Sequence, residues 1–71
     1  MLRNRVRELR ARHDYTQADL AEKIGATRQT VGMIEKADYA PSVVLALRIA
    51  AVFRVSLEDV FWLEGEEQPN D

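Results

Sequence analysis

A short run of side chains carries most of the recognition chemistry in this sequence. On a helix at about 100° per residue, one face of residues 28–36 holds two cations, an amide, an apolar side chain and a glycine. Arginine can hydrogen-bond bidentately to guanine, glutamine can do so to adenine, and an apolar group can contact the thymine methyl. The residues on this face are Arg28, Gln29, Gly32, Met33 and Lys36. The face is suited to the base edges of double-stranded DNA, and the alternative is a solvated helix surface with no ligand.

Gly32 is an unusual residue for the middle of a helix. Glycine costs about 1 kcal/mol relative to alanine in a helix interior, so its presence requires a reason. A close approach to a neighbouring helix or to nucleic acid would supply one. The sequence leaves both explanations open.

Two short helices joined by a tight turn would position this face. Thr16 is typical of a helix N-cap, and Asp19, three residues on, favours the positive end of the helix. Gly25 supplies the left-handed backbone conformation that ends a helix. Thr27 caps the next helix only two residues later. The order of helix, glycine turn and helix is that of a helix-turn-helix.

Three further helices are predicted around this pair. Helix 1 is expected from Leu2 to Arg12, because apolar residues recur there at helical spacing. Helix 4 follows the N-cap Ser42 and is apolar at every position except Arg48. Helix 5 follows the N-cap Ser56 and is expected to end in the large apolar residues Phe61, Trp62 and Leu63.

The ordered set of motifs resembles the phage repressor and Cro class of transcriptional regulators, the xenobiotic response element type. The matching segments are RVRELR, TQADLAEKIGATRQTVGMIE, YAPS, LALRIAAVF and VSLEDVF, from Arg5 to about Phe61. The resemblance implies an all-α, compact five-helix, lambda-repressor-like domain with its helix-turn-helix at helices 2 and 3. It also implies that helix 3 enters the major groove and that a dimer binds a palindromic operator.

The resemblance and the side-chain chemistry together predict the site residues. The base-reading residues are expected to be Arg28, Gln29, Gly32 and Met33. Gln17, Thr27, Thr30 and Lys36 are expected to contact phosphates and so to position the protein on DNA. Thr27 and Thr30 also have a purely structural interpretation, as a helix cap and a first-turn residue.

Two further expectations follow from comparison with similar domains. Such domains carry a buried arginine–glutamate pair, and the matching residues here, Arg10 and Glu35, are expected to form a structural ion pair. In the loop from Ala37 to Pro41, Asp38 stands where relatives commonly have a cation. An acid at this place would repel the DNA backbone, so we expect either a modest affinity for DNA or a role for the loop other than phosphate contact.

The distribution of charge agrees with a nucleic-acid ligand better than the total does. The net charge of the chain is −2. Residues 1–36 hold eight basic and five acidic residues, a net charge of +3, whereas residues 37–71 hold two and seven, a net charge of −5. A protein polarised in this way can present its basic face to phosphates while the acidic face is repelled by them.

The apolar content of helices 4 and 5 exceeds what so small a core can cover. A helix that is hydrophobic on all sides must be covered on more than one of them. Three adjacent large apolar residues on a helix cannot all face one core. We therefore expect a dimer contact formed by Val44, Ala51, Phe61, Trp62 and Leu63. The alternative is that Trp62 folds over the core of the monomer.

Length and composition predict one small domain over residues 1–63 and an acidic, disordered tail over residues 64–71. The chain has no cysteine and no apolar run long enough to span a membrane, so a cytoplasmic location is expected. It has one histidine, and its two serines are already explained as helix N-caps, so no nucleophile with a neighbouring base is present. We expect no enzyme activity, no cofactor, no metal and no small-molecule ligand.

The sequence thus predicts a sequence-specific DNA-binding transcriptional regulator, a repressor, that acts as a homodimer. One alternative is an antitoxin or adaptor that uses the same fold to hold a protein partner through its apolar surface. A pure self-association module is a second alternative, but it leaves the polar face of helix 3 without a role.

Overall fold

The computed structural model describes residues 1–65, in which five short helices are joined to a two-stranded ribbon. The elements are β1 (Leu2–Asn4), α1 (Val6–Arg12), α2 (Gln17–Ile24), α3 (Arg28–Glu35), α4 (Val43–Phe53), α5 (Leu57–Val60) and β2 (Phe61–Leu63). The expected five-helix domain with a helix-turn-helix at α2 and α3 is confirmed. Within residues 1–65, no helix is long and apolar enough to cross a bilayer.

Hydroxyl side chains begin four of the five helices. Each accepts a hydrogen bond from the backbone N–H three residues on, in the pairs Thr16–Asp19, Thr27–Thr30, Ser42–Leu45 and Ser56–Asp59. At the start of α2 the Asp19 carboxylate accepts a hydrogen bond from the Thr16 backbone N–H at 2.9 Å. That bond, with the one from the Thr16 side chain, lowers the pKa of the Asp19 carboxyl. These caps fix where the helices start, as the sequence predicts.

Residues with a left-handed backbone end the helices or the turns after them. Gly25 has a φ of 73° after α2, and Arg54 has a φ of 58° after α4. Asp14 and Ala37, like Arg54, are not glycine, and they adopt φ values of 57° and 63°. A left-handed residue other than glycine costs roughly 1–2 kcal/mol, so tertiary packing must stabilise these three turns. The loop after α3 therefore turns with Ala37, and not a glycine, in the left-handed conformation.

The core lies where α2 and α3 meet α4. Ile24 of α2, Ile34 of α3 and Ile49 of α4 are almost fully buried, and Val6 of α1 joins them. Ala21 is buried in α2, where its small side chain suits a close crossing of helices. The remaining members of the core are Leu9, Leu20, Val31, Ala46, Ala50, Phe53, Val60 and Phe61. Helix α3 and the core are therefore parts of one packed unit.

The two ends of the described chain differ from the sequence prediction. Residues Leu2–Asn4 form a strand and do not begin helix 1, and Phe61–Leu63 form its antiparallel partner and do not extend helix 5. Neighbouring side chains of a strand point to opposite faces. This alternation accommodates the adjacent aromatic residues, because Phe61 enters the core at 9% exposure and Trp62 stays 36% exposed.

The predicted acidic tail falls mostly outside the described residues. Of residues 64–71, the structure describes Glu64 and Gly65, and residues 66–71 lie beyond the described part. Glu64 forms an ion pair with Arg3 of β1 at 3.1 Å. The Glu64 backbone N–H also donates to the Met1 carbonyl at 2.9 Å. The ordered ribbon contacts therefore continue one residue past the predicted domain boundary at residue 63.

A largely buried ion pair between Arg10 and Glu35 joins α1 to α3. Arg10 Nε donates to Glu35 Oε2 at 2.8 Å, and a second guanidinium nitrogen lies 3.3 Å from Glu35 Oε1. The Glu35 side chain is only 5% exposed and that of Arg10 is 18% exposed. Arg10 also donates to the Tyr15 carbonyl at 3.0 Å, in the turn between α1 and α2. The hydrogen bond to Glu35 raises the pKa of the Arg10 guanidinium, although desolvation opposes the shift.

The loss of this pair should destabilise the domain strongly. Arg10→Met would leave the Glu35 carboxylate buried beside an apolar side chain, so we expect a loss of about 3 kcal/mol in the free energy of unfolding. The measurement is urea denaturation followed by circular dichroism. Arg12→Met is the matched control, because Arg12 pairs with Glu8 on the surface of the same helix. Surface pairs contribute about 0–1 kcal/mol. Equal losses in the two variants would contradict the structural role of Arg10.

Candidate nucleic-acid interface

The exposed side of α3 forms one wall of a shallow concave surface, here called the α3 surface. Its lining residues are Gln17, Thr27, Arg28, Gln29, Gly32, Met33 and Lys36. All four predicted base-reading residues are therefore brought together, along with three of the four predicted phosphate-contacting residues. The apolar positions of the same helix, Val31 and Ile34, point into the core. The amphipathic pattern of the sequence accounts for this division.

Gln17, the first residue of α2, lies against α3. Its Nε2 donates to Glu35 Oε1 at 3.1 Å, so the carboxylate that accepts from Arg10 accepts from Gln17 as well. Three elements therefore meet at Glu35, namely α1, the start of α2 and the end of α3. This arrangement fixes α3 relative to the two helices before it.

The two threonines at the start of α3 are hydrogen-bonded to each other. Thr27 Oγ1 accepts a hydrogen bond from the Thr30 backbone N–H at 3.1 Å, and the two hydroxyl oxygens are 3.0 Å apart. Thr27 is exposed and lines the α3 surface. Thr30 is half-buried and does not line it. These bonds match the structural interpretation of the two residues, and Thr30 is the one predicted DNA-binding residue that does not line the α3 surface.

Gly32 is not required by the packing of the described residues. A Cβ atom at this position would meet only the Gln17 side chain, with Nε2 at 3.7 Å and Oε1 at 3.9 Å. Both distances are ordinary van der Waals contacts, and Gly32 lies within a regular helix. Close packing against a neighbouring helix therefore does not explain the glycine. The space beside it opens into the α3 surface, where a ligand could approach the backbone.

The loop after α3 carries one basic and one acidic side chain close together. Lys36 is exposed and ends α3, and Ala37 then takes the left-handed conformation. The Asp38 backbone N–H donates to the Met33 carbonyl at 3.0 Å, which closes the turn. The Asp38 side chain is exposed, and Tyr39 beside it is 42% exposed. Lys36 is therefore the cation that this loop offers next to the α3 surface.

Exposed apolar side chains occur on α4 and on β2, and Trp62 of β2 lies beside Arg5 and Arg7 on the side of α1. Four of the residues predicted to form a dimer contact, Val44, Ala51, Trp62 and Leu63, are exposed. Phe61 differs from the expectation, because it is buried in the core and offers little free surface. The apolar side chains of Val43 and Leu47 are more than half exposed and were not predicted. Their signal was present in the sequence, since α4 is apolar on all sides.

Asn4 is a positioning residue that the sequence prediction missed. Its Nδ2 donates to the Ile34 carbonyl at 2.9 Å near the end of α3, and its Oδ1 accepts from the Val6 backbone N–H at 3.1 Å. One side chain thus joins the turn before α1 to the end of α3. Asparagine favours such turns, in which its side chain accepts from the backbone two residues on, but the assignment of Leu2 to the helix concealed this signal.

Comparison with known proteins agrees with the fold. Residues 6–60 match the helix-turn-helix family. The uncharacterized HTH-type transcriptional regulator YgzD of Bacillus subtilis is 57% identical over 65 residues, which span 92% of this chain and 98% of that protein. An uncharacterized HTH-type transcriptional regulator of Methanocaldococcus jannaschii is 47% identical over 66 residues, 93% of this chain and 100% of its own length.

Solved structures show the same arrangement of helices. A crystal structure of a Bacteroides fragilis protein superposes with a TM-score of 0.77 at 23% identity, over 86% of this chain and 98% of the other. The restriction-modification controller protein C.AhdI of Aeromonas hydrophila gives a TM-score of 0.71 at 30% identity, over 76% of this chain and 82% of the other. The chain therefore belongs to the helix-turn-helix family of DNA-binding transcriptional regulators, in its xenobiotic response element class, and is not an enzyme.

Proposed function

We propose that the protein is a sequence-specific repressor that binds a palindromic operator as a homodimer, with α3 in the major groove. The observation that carries this proposal is the α3 surface, where base-reading side chains surround a glycine that the protein's own packing does not require. An α-helix fits the major groove, and a missing side chain lets its backbone come closer to the base pairs. Binding the chromosome would agree with the cytoplasmic location expected from the sequence.

Within this surface, the side chains divide into two roles. Arg28 and Gln29 lie in the first turn of α3 and are exposed, so they would hydrogen-bond to base edges. Met33 is half-buried and would add apolar contact beside Gly32. Direct contacts to base edges carry sequence information.

The second group would position the protein on the DNA backbone. Gln17 lies at the N-terminus of α2, where backbone N–H groups attract phosphate, and Lys36 supplies a cation at the other end of the surface. Thr27 and Thr30 would contribute through their hydroxyl groups or through the N-terminus of α3. Asp38 adds an opposing charge near Lys36, which would lower the affinity.

Homodimer formation would give the protein two recognition helices. Val44, Ala51, Trp62 and Leu63 are exposed on α4 and β2, and the buried Phe61 would support the contact from beneath. Two α3 helices about 34 Å apart would enter successive major grooves of an operator with two-fold symmetry. A dimer bound over a promoter in this way would block transcription from it.

The alternative role is an antitoxin or adaptor that holds another protein. The exposed Val43, Val44 and Leu47 of α4 favour it, because three neighbouring apolar side chains form a docking surface for any apolar partner. In that case the protein would be monomeric in isolation, and these three side chains of α4 would be covered only by the partner.

Base reading and phosphate contact predict different consequences for substitutions. Arg28→Ala should reduce affinity by about 1–3 kcal/mol at one operator position and relax the preference there, whereas Lys36→Ala should weaken binding to all sequences alike. The measurement is fluorescence anisotropy on a selected operator and on its single-base variants. An equal loss on every variant for Arg28→Ala would contradict its base-reading role.

Gly32 allows stability and binding to be separated. Gly32→Ala should stabilise the free protein by up to about 1 kcal/mol, because alanine favours a helix and meets no clash. The same change should weaken operator binding, because the methyl group would occupy the space that DNA needs. Thermal unfolding and operator titration of one preparation measure both effects. A variant that is more stable and binds DNA as tightly as the wild type would contradict a close approach at Gly32.

The proposed dimer contact can be tested by placing a charge on α4. Val44→Arg should produce a monomer that binds the operator at least tenfold more weakly, because a desolvated charge opposes association. Ala18→Arg is the control, since Ala18 is exposed on α2 and is not among the residues of the proposed dimer contact. Sedimentation velocity measures the oligomeric state of each variant. A wild-type monomer would contradict the dimer and favour the adaptor alternative.

A further inference from the structure

A second concave surface adjoins the α3 surface on the side of α1. Its lining residues are Arg7, Arg10, Gln17, Gly32, Glu35 and Lys36. Three of these, Gln17, Gly32 and Lys36, line the α3 surface as well, so the two surfaces are continuous. A ligand that lies along α3 would therefore reach α1 at the position of Arg7.

The orientation of Arg7 follows from the periodicity of α1. Arg7 and Arg10 are three residues apart, so their side chains lie on the same face of the helix. Arg10 reaches Glu35 at the end of α3, which fixes the direction of that face. Arg7 lies one turn earlier and is exposed. It extends the row of side chains along the edge of the α3 surface.

Arg7 differs from the other arginines of the N-terminal region in its lack of a partner. Arg3 pairs with Glu64, Arg10 with Glu35 and Arg12 with Glu8. Arg5 lies over the Trp62 ring, with its guanidinium carbon 4.8 Å from the ring centroid. Among residues 1–65, no hydrogen bond or ion pair engages the Arg7 side chain. Its five N–H donors are free for an anion.

The one carboxylate that lines the concave surface beside α1 does not oppose an anion strongly. Glu35 is 5% exposed and accepts hydrogen bonds from both Arg10 and Gln17. Its charge is therefore compensated by Arg10. The exposed charges that remain along this edge are the cations of Arg7 and Lys36.

We infer that Arg7 contacts a phosphate of the DNA backbone, beside the bases that α3 reads. This inference rests on the proposed function. It extends the proposed DNA-contacting surface from α3 and the residues beside it onto α1. A guanidinium suits the role because it can donate two parallel hydrogen bonds to one phosphate. Arg7 carries no base-reading role, so it adds affinity and register without changing sequence preference.

The test compares Arg7→Gln with the wild type on one selected operator over a range of salt concentrations. Each neutralised phosphate contributes about 0.9 to the slope of log affinity against log salt. The slope should fall by about 0.9 for each Arg7, or about 1.8 for a dimer. Counterion release alone then predicts a loss of about eightfold per contact at 0.1 M salt. The ranking of single-base operator variants should stay unchanged.

Two matched variants complete the experiment. Arg12→Gln removes the same charge from the same helix at a side chain that pairs with Glu8, and it should leave the slope near that of the wild type. Arg7→Lys should retain most of the slope, because the cation remains. Thermal unfolding of Arg7→Gln should match the wild type, since Arg7 is exposed and has no described partner.

The outcomes separate this inference from the function on which it rests. If the wild type enriches an operator and Arg7→Gln changes the slope no more than Arg12→Gln does, the phosphate contact is overturned and the proposed function stands. If the wild type enriches no operator, the proposed function fails with it. A change in base preference for Arg7→Gln would overturn the assignment to phosphate.

Discussion

The ion pair between Arg10 and Glu35 is the interaction on which the rest of the structure depends. Removing a carboxylate from water is costly, and the cost is offset here by a close guanidinium and by the amide of Gln17. Because the three groups come from α1, α2 and α3, the network determines how the recognition helix lies on the core. The other contacts at this end of α3, including the Asn4 bond to the Ile34 carbonyl, reinforce the same placement.

That placement separates a buried face of α3 from an exposed one. Val31 and Ile34 anchor the helix in the core, so the polar side chains are held on the outside without having to stabilise the fold themselves. Gly32 is the clearest example, because it lowers helix stability and has no role in packing. A residue that opposes folding and serves no internal contact is most simply explained by what the protein binds.

Local signals made much of this architecture predictable from sequence. Caps at Thr16 and Thr27 and the left-handed Gly25 act over a few residues, so the helix-turn-helix could be assigned from the residues alone. The Arg10–Glu35 pair was expected from the resemblance and from its position near the core. The ribbon was not predictable in this way, since strands of three residues show no period and their pairing joins opposite ends of the described chain. The burial of Phe61 depends on that pairing.

The central claim is that the outer face of α3 reads base pairs. The most direct measurement is selection from a random pool of double-stranded DNA by the purified protein, repeated at low and moderate salt. Our account predicts enrichment of a site with two-fold symmetry whose half-sites lie about one helical turn apart, and its persistence at moderate salt. Binding without enrichment that disappears as salt rises would contradict the account, because it would reduce the interaction to non-specific charge attraction.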